Sequence, residues 1–134
     1  MTPFHLKIVS PDGLLFDGQA EQLTVRTTTG DMGILAGHLS CVAPLGMGMA
    51  TVVIDGKSRH AACIGGMVSV VGGKVTLVPT TFEWADQIDP ARAEASQARA
   101  EQILSSKEAS STEVKLAQAR LHRALVRKSV ASYK

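Results

Sequence analysis

Five arginines carry the residue type and spacing best suited to chemistry in this 134-residue chain: Arg92, Arg99, Arg120, Arg123 and Arg127. On helices, Arg92 and Arg99 share one face, and Arg120, Arg123 and Arg127 share another. If the turn between those helices centres near residue 109, antiparallel pairing sets Arg92 level with Arg127 and Arg99 level with Arg120. Guanidiniums gathered in this way repel one another. A polyphosphate would tie them together through bidentate, charge-assisted hydrogen bonds. The same residues also read as a solvated basic face that aids solubility. Charge pattern alone leaves both readings open.

Other chemistry finds little support. The chain has no Walker-type phosphate loop, no GxSxG and no HExxH. Gly46-Met47-Gly48 is too short for a dinucleotide fingerprint and precedes no helical pattern. His5, His38, His60 and His122 are scattered, with no carboxylate at ligand spacing. Cys41 and Cys63 form no CxxC and read as small buried hydrophobes. Glu83 and Asp86 sit near a change of pattern, where acids are usually solvated. No catalytic residue and no metal ligand is expected.

The elements that must position the arginines come in two kinds. Up to about residue 86 the chain alternates apolar and polar residues in short runs, as in Leu6-Lys7-Ile8 and Leu23-Thr24-Val25-Arg26. Turns interrupt the runs at Pro11-Asp12-Gly13 and Thr28-Thr29-Gly30-Asp31. Asp55-Gly56 and Gly72-Gly73 predict two tight hairpins. Gly65-Gly66, between strand-like runs, predicts a bulge or a close backbone approach. The fold expected is a β-sandwich, in effect a flattened barrel, of about ten short strands over residues 1–86. Residues 87–134 read as an antiparallel αα-hairpin. Asp89-Pro90 supplies an N-cap followed by proline at the first helical position, and the helix runs to about Lys107. Ser110 with Glu113 predicts a capping box, and the second helix runs to about Ser132. Alanines, Ala91, Ala93, Ala95, Ala98 and Ala100, dominate the first helix, and Val114, Ala117, Leu121, Ala124 and Leu125 stripe the second. Buried methyl groups contribute only about 0.8 kcal/mol each, so such a hairpin leans on a partner surface. A permanently fastened hairpin and one that exchanges between two arrangements both fit.

Composition narrows the function classes. Apolar residues make up 45% of the chain, enough for a core. Aromatics make up 4%, which argues against a surface that stacks nucleic-acid bases. Residues 1–88 carry five basic and seven acidic side chains, whereas residues 114–134 carry six basic and none acidic. The C-terminal segment should therefore seek anions. Residues 32–54 hold no Asp, Glu, Lys or Arg, but Gly33, Gly37, Pro44, Gly46 and Gly48 break them into strands and turns rather than a membrane span. The N-terminus lacks the layout of a signal peptide, so a cytosolic protein is expected unless a partner holds it at a membrane.

The order of these parts resembles the epsilon subunit of bacterial F-type ATP synthases over essentially the whole chain. Gly30-Asp31-Met32-Gly33-Ile34-Leu35-Ala36-Gly37-His38 is similar to that family's Gly-acid-apolar-Gly-Ile-apolar-Pro-Gly-His signature, with Ala36 in place of proline. Ser40 and Cys41 stand where proline and leucine are common. Gly65-Gly66-Met67 and Val75-Thr76 fit its later strands. The resemblance implies a non-catalytic central-stalk subunit that needs no cofactor. It would couple proton translocation to ATP synthesis at the cytoplasmic face of the bacterial membrane. Its sandwich would grip the gamma subunit and the membrane rotor ring (the c-ring), with Asp31 and His38 in the ring-facing loop. Its hairpin would permit turnover when folded. When extended along gamma it would oppose ATP hydrolysis, with Arg120, Arg123, Arg127 and Lys128 meeting an acidic segment of a catalytic beta subunit. Some relatives bind ATP as a regulatory ligand through Ile/Leu-Asp-x-x-Arg-Ala, which Ile88, Asp89, Arg92 and Ala93 match. Arg99, Arg123, Arg127 and Glu83 stand at further positions of that site, with Val126 where a polar residue is frequent. Asp89 would cap the helix and orient Arg92 rather than touch phosphate. A stand-alone nucleotide sensor of the same architecture is the alternative.

Overall fold

A computed structural model describes residues 2–133. The chain divides into two compact units, residues 1–84 and 85–134. Eight strands build the first: β1 Phe4–Ser10, β2 Gly13–Ala20, β3 Gln22–Thr27, β4 Gly30–Ile34, β5 Cys41–Pro44, β6 Met47–Ile54, β7 Lys57–Val71 and β8 Lys74–Trp84. They run in the order β2-β1-β8-β7-β6-β3-β4, with β5 paired to β7 off that path. All neighbours are antiparallel except β1 and β8. The sheet is not closed, so the unit is a sandwich rather than a complete barrel.

Alternation fixes which side chains enter the core. Phe4, Leu6 and Ile8 are buried along β1 while His5, Lys7 and Val9 are half-buried between them. Leu6, Ile8, Leu23, Val25, Ile34, Val52, Val68, Val70, Val75 and Leu77 fill the space between layers. These are mostly branched aliphatics, as a chain so poor in aromatics requires.

Eight strands form rather than the ten or so expected, in part because runs on either side of Gly65-Gly66 belong to one strand. Ile64 lies opposite Thr81 and Gly66 opposite Pro79, so the β7–β8 register passes the pair without an extra residue. The glycines therefore mark a close approach and not a bulge. A Cβ on Gly66 would stand 2.0 Å from the Val78 carbonyl oxygen, and its φ is +101°. Both predicted hairpins form: Asp55 and Gly56 have φ of 50° and 74°, Gly72 and Gly73 57° and 80°. Positive φ at both central residues gives the twist that matches flanking strands. The Gly56 amide also donates to Glu21 Oε1 at 2.6 Å.

Aromatic packing closes the end of β8. Phe82 and Trp84 meet edge to face at 4.9 Å, and the Arg59 guanidinium lies 3.8 Å over the Trp84 ring. Cys63, on β7, is buried, and that burial pushes its thiol up to about 12. On the exposed edge, His5 Nε2 and Asp17 Oδ1 share a hydrogen bond that, first among its causes, holds the Asp17 carboxyl below its ordinary value of 3.8.

The second unit is a 3-10 turn, Ala85–Gln87, then α1 Pro90–Ser105 and α2 Ser111–Ala131. Asp89 Oδ1 accepts from the amides of Ala91 and Arg92 at 3.0 and 3.3 Å. Ser110 Oγ accepts from the Glu113 amide at 3.1 Å and donates to Glu113 Oε1 at 3.2 Å. Helix α1 stops two residues before Lys107 because Ser106 leaves the helix with ψ of 129°.

The apolar seam is narrower than the sequence pattern implies. On α1 only Ala93 and Ala100 are buried, while Ala91, Ala95 and Ala98 are exposed. On α2 the buried residues are Ala117, Ala124, Val130 and Ala131, and Leu125 is 44% exposed. In each helix the buried alanine pair recurs at a seven-residue interval, the spacing that keeps one stripe against a partner helix. Leu125 stands about 100° around the helix from Ala124, which turns it off that stripe.

Candidate anion and partner surfaces

The sequence-predicted nucleotide residues fall on both units. Ile88, Asp89, Arg92, Ala93, Arg99, Arg123 and Arg127 belong to the second, and Glu83, half-buried on β8, to the first. Ile88 and Ala93 are 3% and 2% exposed, so they set the frame from which neighbouring side chains project. Asp89 spends its carboxylate on helix capping, as its position before Pro90 predicts. Arg92 and Arg99 are exposed on α1. On α2, Arg120 is exposed and Arg123 and Arg127 are half-buried. Their spacings of three and four residues place all three on one face, beside the buried stripe of Ala117 and Ala124.

Lys128 stands apart from that group. Its Nζ lies 3.7 Å from Glu94 Oε1 and donates to Gln97 Oε1 at 3.4 Å, linking α2 to α1. Both side chains of the ion pair are well exposed, so the link is weak. A groove of about 370 Å³ opens at the hairpin turn, lined by Gln102, Ile103, Ser106, Glu108, Ala109 and Glu113. Its carboxylates oppose anion binding, so it is no part of the arginine surface.

On the sandwich, Asp31 lies on β4 and is exposed. Arg26, which sequence reading passed over, stands directly opposite it and approaches with Nε 2.8 Å from Asp31 Oδ1. The turn at Thr28-Thr29 makes that pairing readable, since residues flanking a tight turn become cross-strand partners. His38 is half-buried in the following loop, its Nδ1 2.8 Å from the Leu39 carbonyl oxygen. Leu35 and Leu39 in the same loop are 51% and 84% exposed. Among the described residues no group of three or more His, Cys, Asp or Glu is placed to hold a metal ion, and no helix is long and apolar enough to cross a membrane.

An open sandwich with an ion-paired β3–β4 edge, followed by an alanine-seamed hairpin with a basic face, defines a class of small two-part modules. Comparisons with known proteins make this specific. Residues 3–85 match the ATP synthase delta/epsilon chain β-sandwich domain, and residues 86–132 its long α-helix domain. An ATP synthase epsilon chain of Ruminococcus albus is 44% identical over 100% of both chains, and one of Bacillus velezensis is 39% identical over 98% of each. A chain in the Euglena gracilis mitochondrial ATP synthase superposes with a TM-score of 0.85 at 22% identity, covering 100% of this chain and 83% of that one, a likeness of fold. The chain belongs to the ATP synthase delta/epsilon family. It is an epsilon-type subunit, structural and regulatory rather than catalytic.

Proposed function

We propose that the chain is a rotor subunit of a bacterial F-type ATP synthase that couples proton translocation to ATP synthesis and restrains ATP hydrolysis. The sandwich binds the gamma subunit and the rotor ring, with Asp31 and His38 on the ring side, at the cytoplasmic face of the membrane. The hairpin is the regulatory part. Extended, it presents Arg120, Arg123, Arg127 and Lys128 to an acidic segment of a catalytic beta subunit. Folded, it takes up ATP through Arg92, Arg99, Arg123 and Arg127, framed by the Ile88-Asp89 cap.

The observation that carries this reading is the seam of the hairpin. Its α1 side buries only Ala93 and Ala100, and the α2 residues at matching spacing are Ala117 and Ala124. At about 0.8 kcal/mol per methyl the helices are held by a few kcal/mol, within the range that a bound polyanion or an acidic partner can outweigh. Stoichiometric capture of gamma by the tagged full chain tests the stalk role. A chain that never retains gamma is not a stalk subunit.

The nucleotide site has its own test. ATP should bind the isolated chain, and Arg99→Ala should weaken that binding by more than about 1 kcal/mol, the scale of one charged hydrogen bond. Calorimetry giving the same affinity for both proteins would refute the site.

A further inference from the structure

Gly46-Met47-Gly48 is no phosphate loop, and the sandwich gives it another part. Between the pairings Thr24–Thr51 and Thr27–Leu45, β3 advances three residues while the chain beside it advances six. The neighbouring chain carries three extra residues there while its Gly46 amide still donates to the Arg26 carbonyl at 2.9 Å, and Gly46 and Gly48 form a shelf beside the Arg26 side chain. Arg26 lies across it. A Cβ on Gly48 would stand 2.6 Å from Arg26 Cβ and 3.0 Å from its Cγ, and one on Gly46 would stand 3.5 Å from Cγ. Any side chain at position 48 would lift Arg26 from its place. From the other side, Asp31 forms an ion pair with it, Oδ1 standing 2.8 Å from Nε. Arg26 is therefore held by a floor and by one carboxylate, yet its side chain is 52% exposed. The ion pair with Asp31 is made on the Nε side of the guanidinium. The structure gives the guanidinium no other hydrogen-bonding or charged partner among the described residues, so its terminal donors remain available.

A pre-oriented guanidinium binds a carboxylate with little further ordering cost, because its planar fork matches the two oxygens. We propose that Arg26 is an anchor for a carboxylate on the protein that docks against the β3–β4 edge, with Asp31 and the Gly46–Gly48 shelf holding it ready. This rests on the reading that Asp31 and His38 face the rotor ring. The partner is then an acidic group on the exposed loops of that ring. Leu35 and Leu39, exposed in the loop that continues β4, supply apolar contact around a charged anchor.

The test measures binding of the full chain to purified rotor ring and, separately, to gamma. Arg26→Gln and Arg26→Lys should each weaken ring binding about tenfold or more, the effect of losing a charged or bidentate hydrogen bond, while gamma capture and the denaturation midpoint stay as in the parent. Ring binding by Arg26→Lys equal to the parent would show that charge alone suffices and would overturn the anchor. Unchanged binding by Arg26→Gln would overturn it too. Loss of gamma capture or of stability in step with ring binding would make Arg26 structural. If the parent chain binds neither gamma nor ring, the rotor reading itself fails. If it binds gamma but not ring, the ring-facing reading and the anchor that rests on it both fall, while the stalk role stands.

Discussion

Gly66→Ala should destabilise the sandwich by about 3 kcal/mol or more, seen as a large fall in the denaturation midpoint of the full chain. Two costs coincide at this residue. Its φ of +101° is one that L side chains rarely adopt, and a Cβ there would lie 2.0 Å from Val78 O and 2.7 Å from Pro79 Cα. Those atoms are backbone in the adjacent strand, so rotation of a side chain cannot relieve the overlap. β7 and β8 would have to part where both cross the core, and the buried Val68 and Leu77, which lie opposite each other, would lose contact. Gly72→Ala is the control. Its φ is +57° and nothing lies within 4 Å of the added methyl. That change should cost only about 1 kcal/mol. Equal midpoints for the two variants would mean that crowding at Gly66 is not what reserves it for glycine.

Ala117→Leu combined with Ala124→Leu should open the hairpin while leaving the sandwich folded. These alanines are 0% and 2% exposed. Overpacking a filled position costs about 1–3 kcal/mol, against roughly 0.8 kcal/mol contributed by each seam methyl. Two such insertions cost about 2–6 kcal/mol, comparable with the few kcal/mol that the seam supplies. Hydrogen exchange should show protection lost across α1 and α2 and retained in β1, β7 and β8. The exposed Leu116, 52% accessible, gives the comparison, since Leu116→Ala should leave protection nearly unchanged. Full protection in the double leucine variant would show that the helices are held by something other than their alanine stripe.

How much of this was legible in the sequence depends on how local the determining physics is. The two hairpin turns are set by dipeptides, Asp55-Gly56 and Gly72-Gly73, whose backbone freedom is a property of those residues alone. The helix starts are equally local, since Asp89 and Ser110 act on amides two or three residues away. The strand count was not legible. Whether Gly65-Gly66 ends a strand or lets it pass a neighbour depends on Val78 and Pro79, which come close only after folding. The buried face of α1 was not legible for a related reason. Alanine has the same local signature exposed or buried, so Ala91, Ala95 and Ala98 could not be separated from Ala93 and Ala100 without the partner helix. The arginines of α2 followed from helical spacing, but nothing in periodicity set Lys128 against Glu94. Arg26 was hidden in an alternating strand, where an outward arginine is unremarkable. Only the shelf and Asp31 make it distinct.

The regulatory claim is tested most directly by ATP hydrolysis in the assembled complex carrying either the full chain or a chain ending at residue 88. Removal of residues 89–134 should raise the hydrolysis rate about fivefold or more under conditions that favour the extended hairpin, the scale of a regulatory coupling of 1–3 kcal/mol. The rise should shrink as ATP is added and the folded hairpin is filled. Identical rates with and without the hairpin, across the whole range of ATP concentration, would contradict a switch built from these two helices.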